Sequence, residues 1–357
     1  MFLISAIQAF TFVLIGNWIL EIHGMWFSYW LILFSLSCFA NLLGLNISAT
    51  FNSVKVIYIL IPLLIIPQLL FSGVIVKFDK LNPLVGEEDS VPLVGNVMAS
   101  RWAYEALAVT QFKENSYDVM FYDYEKNKSF ASWKKDYWLK ELISRIDYVK
   151  TNINNPDLKE QVKESLLVLR NEIKRESEFL SSDAEGANCN ECVENLYLDK
   201  YSEKVHQEVS RYFNLILKPH YKGVVDKNRK LVDKKKNKII DKFGKEVFIA
   251  ELNDNSNESL EQFVTNKIEL DKLIVSDGYI IQKSDPIYLD PYDKSFFGAH
   301  FYAPQKRFFG SYIDTFWANV MVIWLMVILL TATLYYDIFK KLLDRVENLF
   351  SKVKFTK

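Results

Sequence analysis

The sequence predicts an all-α membrane protein: four transmembrane helices, a re-entrant hairpin and a helical extracytoplasmic domain. Three observations lead there. Val56–Val76 (VIYILIPLLIIPQLLFSGVIV) runs 21 residues without a charge. At ~1.5 Å rise per residue a helix of that length spans roughly 30 Å, the thickness of a bilayer's hydrocarbon core. Charge is also segregated. In the 357-residue chain no Lys or Arg precedes Lys55 and Glu21 is the only acidic residue before it, whereas the middle is densely charged. Finally, that charged middle carries apolar residues at helical spacing, the mark of amphipathic helices that pack on one another.

Taken in order, Phe2–Leu20 is the first span and Met25–Asn46 the second, with only EIHG between them, a turn short enough to demand a helical hairpin. The N-terminus has no positive region and no small-residue cleavage site before Glu21, so it does not read as a signal peptide. Trp18, Trp26, Tyr29 and Trp30 cluster at the hairpin turn, as an aromatic belt does at a membrane surface. Asn17, Asn41 and Asn46 read as interhelical hydrogen-bonding groups. After a turn over 47–55 comes the third span, Val56–Val76, with Pro62 and Pro67 inside it. Membrane helices tolerate such prolines because neighbouring helices satisfy the freed carbonyls. Ser90–Phe112 is apolar again but holds Arg101 and Glu105 one turn apart, which reads as an interfacial or re-entrant segment closed by an ion pair. The fourth span is Tyr312–Tyr336, with Asp314 at its entrance and Lys340–Lys341 just beyond it. The expected organisation is therefore 1–76 (three spans), 77–112 (re-entrant hairpin), 113–311 (extracytoplasmic helical domain), 312–336 (last span) and 337–357 (basic tail).

Orientation follows from charge in the short loops. Lys340, Lys341, Arg345, Lys352, Lys354 and Lys357 fill the tail and Lys55 lies in the turn on the same side, while the 21–24 turn opposite has no base. The positive-inside rule places the tail in the cytoplasm and the long loop outside, its own lysines raising no objection because long loops translocate largely regardless of charge. Lys77, Lys80, Lys306 and Arg307 flank the membrane on the outer side.

Within the loop, Trp138, Leu142, Ile146 and Val149 share one helix face. Pro156 after Asn155 starts a second helix, whose Leu158, Val162, Leu166, Leu169 and Ile173 repeat at three and four. Leu198, Tyr201, Val205, Val209 and Tyr212 make a third stripe, which Pro219 is expected to stop. About four amphipathic helices are expected, with 181–193 as an exposed connection.

Few residues offer chemistry. Cys189 and Cys192 form C-x-x-C and Cys38 lies alone in a span. A local disulfide is the plain reading of the pair outside the cytoplasm. Free thiols, or metal or redox chemistry, are the alternatives, although half a zinc site and no thioredoxin-like setting are present. Lys222–Lys245 holds ten basic and three acidic residues, a solvated face or a surface for anionic headgroups or a partner protein. The net charge of −1 argues against nucleic acid as the main partner. His23, His206, His220 and His300 are scattered, there is no G-x-S-x-G or H-E-x-x-H, and no glycine opens a G-x-x-x-x-G-K-[ST] loop. The chain holds no cradle for ATP phosphates and is not expected to be an enzyme by itself.

IPQLLFSGVIVKFDKLNP followed by SRWAYEALAVTQF resembles the fifth transmembrane helix and re-entrant hairpin of White/G-subfamily ATP-binding-cassette exporters, which have a type-2 ABC membrane domain. LGLNISATF resembles that family's fourth helix. The resemblance covers residues 1–112 and about 296–340, and implies a bacterial type with an enlarged extracytoplasmic loop. It implies a membrane-spanning permease for a hydrophobic or amphipathic substrate, in the cytoplasmic (inner) membrane, working as a homodimer of membrane domains in the lipid bilayer. It also implies that ATP and Mg bind a nucleotide-binding domain outside these residues, in the intact polypeptide or on a partner, and that Met1 is internal to a longer protein. Phe71, Val74 and Ile75 then lie on the substrate path, Val74–Ile75 taking the place of the apolar plug after Phe71-Ser72-Gly73. Arg101 and Glu105 match the family's R-x-x-x-E and become a structural clamp. The rival readings are a membrane-anchored receptor or scaffold whose loop domain binds a ligand, and a membrane-embedded enzyme, for which the spans lack facing titratable groups.

Overall fold

The computed structural model describes residues 1–51, 53–76, 78, 91–180, 189–291, 299–308 and 310–345. Lys77, Lys80, Pro83, most of the 181–193 connection and the tail bases Lys352, Lys354 and Lys357 lie outside the described residues. The chain divides into two compact units. One comprises Met1–Val119, Glu251–Leu260 and Asp290–Lys357; the other comprises Met120–Ala250 and Glu261–Leu289.

The first unit is built on apolar helices. α1 (Phe2–Ile19) and α2 (Trp26–Thr50) form the expected hairpin, its turn relieved by positive φ at Glu21 and Gly24. α3 spans Val54–Leu70 and keeps Pro62 and Pro67 inside it. It ends six residues before the expected Val76, and the reason is local. The Ser72 hydroxyl donates to the Leu69 carbonyl at 2.7 Å, and Gly73 takes φ +85°, a conformation side-chain-bearing residues avoid. α4 (Leu93–Val97) and α5 (Ala99–Glu114) follow, separated by Met98 alone.

Among the described residues three helices are long and apolar enough to cross a membrane: α1, α2 and Thr315–Tyr335. The 17-residue α3 is a shorter apolar helix. Helix Thr315–Tyr335 packs on α2 and α5 through Ile32, Ala103, Ala106, Phe316, Val320 and Ile323. Small residues on α5 let the backbones approach. Polar side chains stitch the apolar helices together as their positions suggest. Asn41 Nδ2 donates to Ser5 Oγ at 2.7 Å, and Asn46 Nδ2 to the Leu330 carbonyl at 2.9 Å. Asn17 differs: it is buried, and its amide nitrogen has no hydrogen-bond partner among the described residues.

The second unit is mostly helical. α6 (Tyr122–Trp133) passes through a π-turn over Lys134–Trp138 into α7 (Leu139–Asn152), and α8 runs Lys159–Leu180. Asn155 caps the entry to α8, its side chain accepting from the Asp157 N–H at 3.1 Å, one residue after Pro156. α9 (Asn190–Asn195) precedes α10 (Glu203–Arg211), which continues through a second π-turn, Tyr212–Leu217, into α11 (Lys218–Phe243). Pro219 therefore does not stop the third stripe. The wide turn before it leaves room for the ring and for the missing N–H, so the helix proceeds. The faces of α7 and α8 that the spacing marks out are the core, with Trp138, Leu142, Val149, Val162, Leu169 and Ile173 fully buried.

α12 (Lys245–Asn255) and α13 (Glu258–Thr265) come next. The chain is not purely helical, as two hairpins follow: β1 (Leu273–Ser276) with β2 (Tyr279–Gln282), and β3 (Gln305–Phe308) with β4 (Ser311–Asp314), both antiparallel. The first turns at Asp277 and Gly278, both at positive φ, as a tight two-residue hairpin requires. It lies on α8 in the second unit. The second leads into α14 (Thr315–Tyr335), for which Asp314 is the N-cap, accepting from the Phe316 N–H at 3.1 Å.

Candidate functional site

The first unit closes around Glu105. Its carboxylate is fully buried on α5, and four elements supply its partners. Lys306 of β3 donates through Nζ at 2.9 Å to Oε1 and lies 2.8 Å from Oε2. Asn319 of α14 donates to Oε2 at 3.0 Å and to the Trp102 carbonyl at 2.9 Å. The Tyr302 N–H donates to Oε1 at 3.1 Å. Arg101, one turn earlier on α5, stands 3.5 Å from Oε2.

The expected Arg101–Glu105 pair is thus real in geometry, but Lys306 is the closer cation. Arg101 spends its guanidinium on aromatic faces, 4.0 Å above the Trp102 ring centroid and 5.5 Å from that of Phe301. Tyr302 holds φ +66°, rare for a bulky residue and locked here by its bond to Glu105. One carboxylate faces two cations with almost no solvent, which makes Glu105 the counter-ion of the whole junction. Burial pushes the Lys306 ammonium down to about 8, against the pull of Glu105 and with Arg101 adding to the depression.

Beside this cluster the Phe71-Ser72-Gly73 turn has a defined role. Phe301 packs against Gly73 so closely that a Cβ there would sit 2.5 Å from its Cζ, and Phe301 meets Phe78 edge-on with centroids 4.9 Å apart. Gln68, just before the turn, grips the start of α5: its side-chain oxygen accepts from the Ser100 N–H at 3.2 Å and from the Ser100 hydroxyl at 3.0 Å. Gly73→Ala combines left-handed strain with overpacking, and a loss of about 2–4 kcal/mol is expected. Thermal melts of the purified protein should show it, and Phe301→Leu in the same chain should recover part of the loss; an undiminished melting temperature for the single variant would contradict this geometry.

The other marked residues make none of the contacts to Glu105. Phe71 is half-buried, and Val74 and Ile75 are exposed to the surroundings of the single chain. Cys189 and Cys192 are joined in a disulfide at the start of α9 in the second unit, where Cys192 enters the core. Cys38 is buried between α2 and α14 and is a free thiol. Among the described residues no group of three His, Cys, Asp or Glu could hold a metal ion. Lys306, Asn319, Tyr302 and Gln68 are the contributors that sequence reasoning missed.

Apolar helices of membrane length, joined to α5 through a buried ion cluster, fit a mostly helical membrane protein. Residues 1–112, from α1 to the last turn of α5, match the family model described as ABC-2 type transporter. The match is consistent with the permease part of such a transporter, whose membrane domains normally pair with ATP-binding cassette partners. No curated protein and no solved structure matches the chain.

Proposed function

We propose that this chain is the permease portion of an ABC exporter of the White/G-subfamily kind, carrying a hydrophobic or amphipathic substrate. It works as a homodimer, with ATP and Mg handled by a nucleotide-binding domain outside these residues. The observation that carries the reading is the ABC-2 match over the stretch that also contains the Arg101–Glu105 pair and the Phe71-Ser72-Gly73 turn. Four apolar helices, α3 counted with the three longer ones, are the spans, and α4–α5 is the re-entrant hairpin. Tagged protein purified in mild detergent from its own cells should bring an ATP-binding cassette with it, and that complex should hydrolyse ATP. The 357-residue chain alone should bind no ATP in calorimetry. A complex without any cassette, or saturable nucleotide binding by the isolated chain, would remove the reading.

The second unit is placed outside the cell and the tail inside, on the short-loop charge bias. In a cysteine-free background, single cysteines at Lys150 and Lys340 should label oppositely with an impermeant thiol reagent, and equal labelling in intact cells would reverse that assignment.

Val74 and Ile75 form the plug at the end of the substrate path that passes Phe71. Branched apolar side chains seal against water and ions yet can part for an apolar substrate, and both side chains are exposed in the single chain, free for such a contact. Replacing both with alanine removes roughly 2–4 kcal/mol of apolar burial across a closed seam. In proteoliposomes of the intact transporter, basal ATP hydrolysis should rise or substrate should leak, while Leu63→Ala/Leu64→Ala should lower stability instead. Unchanged coupling in a well-folded double variant would make the pair ordinary helix-end residues.

A further inference from the structure

α11 buries one face and leaves the other bare. Tyr221, Val225, Asn228 and Val232 face the core of the second unit. On the opposite side Lys227, Lys230, Lys234 and Lys238 follow one another at three and four residues, all exposed. At ~1.5 Å rise per residue they make a row roughly 16 Å long. Among the described residues no ion pair forms with any of the four, although Asp226 and Asp233 lie within a turn of Lys230. The neighbouring helices behave differently. α7 pairs Arg145 with Glu141 at 2.7 Å, α8 pairs Lys163 with Glu160 at 2.6 Å, and α10 brings Lys204 to 3.7 Å from Glu208. Like charges at these spacings destabilise a helix, so the row is tolerated at a cost that mixed charges would have avoided.

We propose that this lysine row is a docking face for an anionic bilayer surface, through its phosphate headgroups. The chemistry favours lipid over a discrete ligand. The four groups are compact, hydrated ammonium charges on flexible stems, with no arginine fork among them to grip a single phosphate bidentately and no aromatic side chain between them on which a base could stack. The unit is also inserted in the chain between α5 and the membrane-length helix α14, which ties it covalently to the unit that carries the apolar helices. This rests on the membrane reading of the chain and is independent of its transport role.

The full chain in phosphatidylcholine nanodiscs is floated with vesicles of pure phosphatidylcholine, or of an equal mixture with phosphatidylglycerol, at low and high salt. Association with the anionic vesicles alone, and its loss at high salt, is expected. The quadruple variant Lys227→Gln/Lys230→Gln/Lys234→Gln/Lys238→Gln should weaken that association by at least about tenfold while melting at the wild-type temperature. A charge-matched control, Lys140→Gln/Lys150→Gln/Lys163→Gln/Lys204→Gln, should keep it. Equal association with neutral vesicles, no association with either, or equal losses in the two quadruple variants would each overturn the proposal. The last would assign the effect to net charge instead of the α11 row.

Discussion

Glu105→Gln is expected to cost about 3–5 kcal/mol, because it strands Arg101 and Lys306 in the interior with no anion between them. Against a total stability of about 5–15 kcal/mol that is a large fraction, and the yield of folded protein should fall. It also removes the acceptor that holds the Tyr302 N–H, leaving a strained φ unsupported. Lys306→Met should be far milder: it takes away one of the two cations and leaves Glu105 with Arg101 and Asn319. The double variant should therefore be more stable than Glu105→Gln alone, a non-additivity readable from melting of the detergent-purified protein. A double variant no better than the single would show that the carboxylate acts through something other than charge balance.

The same lysine carries a pH dependence whose sign is opposite to that of a lysine whose pKa is raised by its ion-pair partner. Lys306 is held at about 8 in the folded chain and returns to ~10.4 when unfolded. Between those values the unfolded state binds the extra proton, so stability from this group rises with pH. The penalty for burying the charged form is fully present below about 8 and is relieved as pH climbs toward the unfolded value. The wild type should accordingly gain stability relative to Lys306→Met as pH is raised across that window, and melts of the two proteins read side by side check it.

The pieces legible in the sequence were those whose signal is local. Apolar length marked the helices α1, α2 and α14, and the three-and-four spacing of Leu142, Ile146 and Val149 marked a core face that the structure buries. The R-x-x-x-E spacing brought Arg101 and Glu105 onto one side of α5. What escaped depends on partners far away in the chain. Lys306 stands 201 residues from the carboxylate it binds and Asn319 214. As a bare sequence Lys306 is one more base beside a span, and no periodicity could aim it at Glu105. Gln68 hides likewise inside an apolar run. The first hairpin is a different kind of miss, since Asp277-Gly278 between two short β-branched runs is a local hairpin signal. At four residues each, β1 and β2 were simply too brief to stand out from the helices around them.

The second unit contains a parallel case. Glu176 of α8 lies 2.6 Å from the Lys134 ammonium and accepts a hydrogen bond from the Tyr221 hydroxyl. One turn earlier, Glu172 accepts from Trp138 Nε1 at 2.6 Å, from Arg175 at 2.7 Å and from the Ile280 N–H at 2.9 Å. Lys134 is buried on the π-turn, 3.7 Å above the Trp138 ring centroid, and burial pushes its ammonium below the usual lysine range even with Glu176 beside it. Both acids face the core because α8 turns Val162, Leu169 and Ile173 that way, and 172 and 176 fall on the same stripe. Glu176→Ala leaves a lysine and a tyrosine hydroxyl unsatisfied at the junction of α6, α8 and α11. A loss of about 3–5 kcal/mol is expected. Lys134→Met should cost less, since its long apolar stem already packs against Trp138 and the remaining carboxylate can take up a proton or keep Tyr221. The double variant should lie closer to Lys134→Met than to Glu176→Ala. Hydrogen exchange separates this from a general loosening: α6, α8 and α11 should lose protection first in Glu176→Ala, while α1, α2 and α14 of the other unit keep theirs. Uniform loss across both units, or a Glu176→Ala protein that melts with the wild type, would show that this buried pair is not what orders the helical domain.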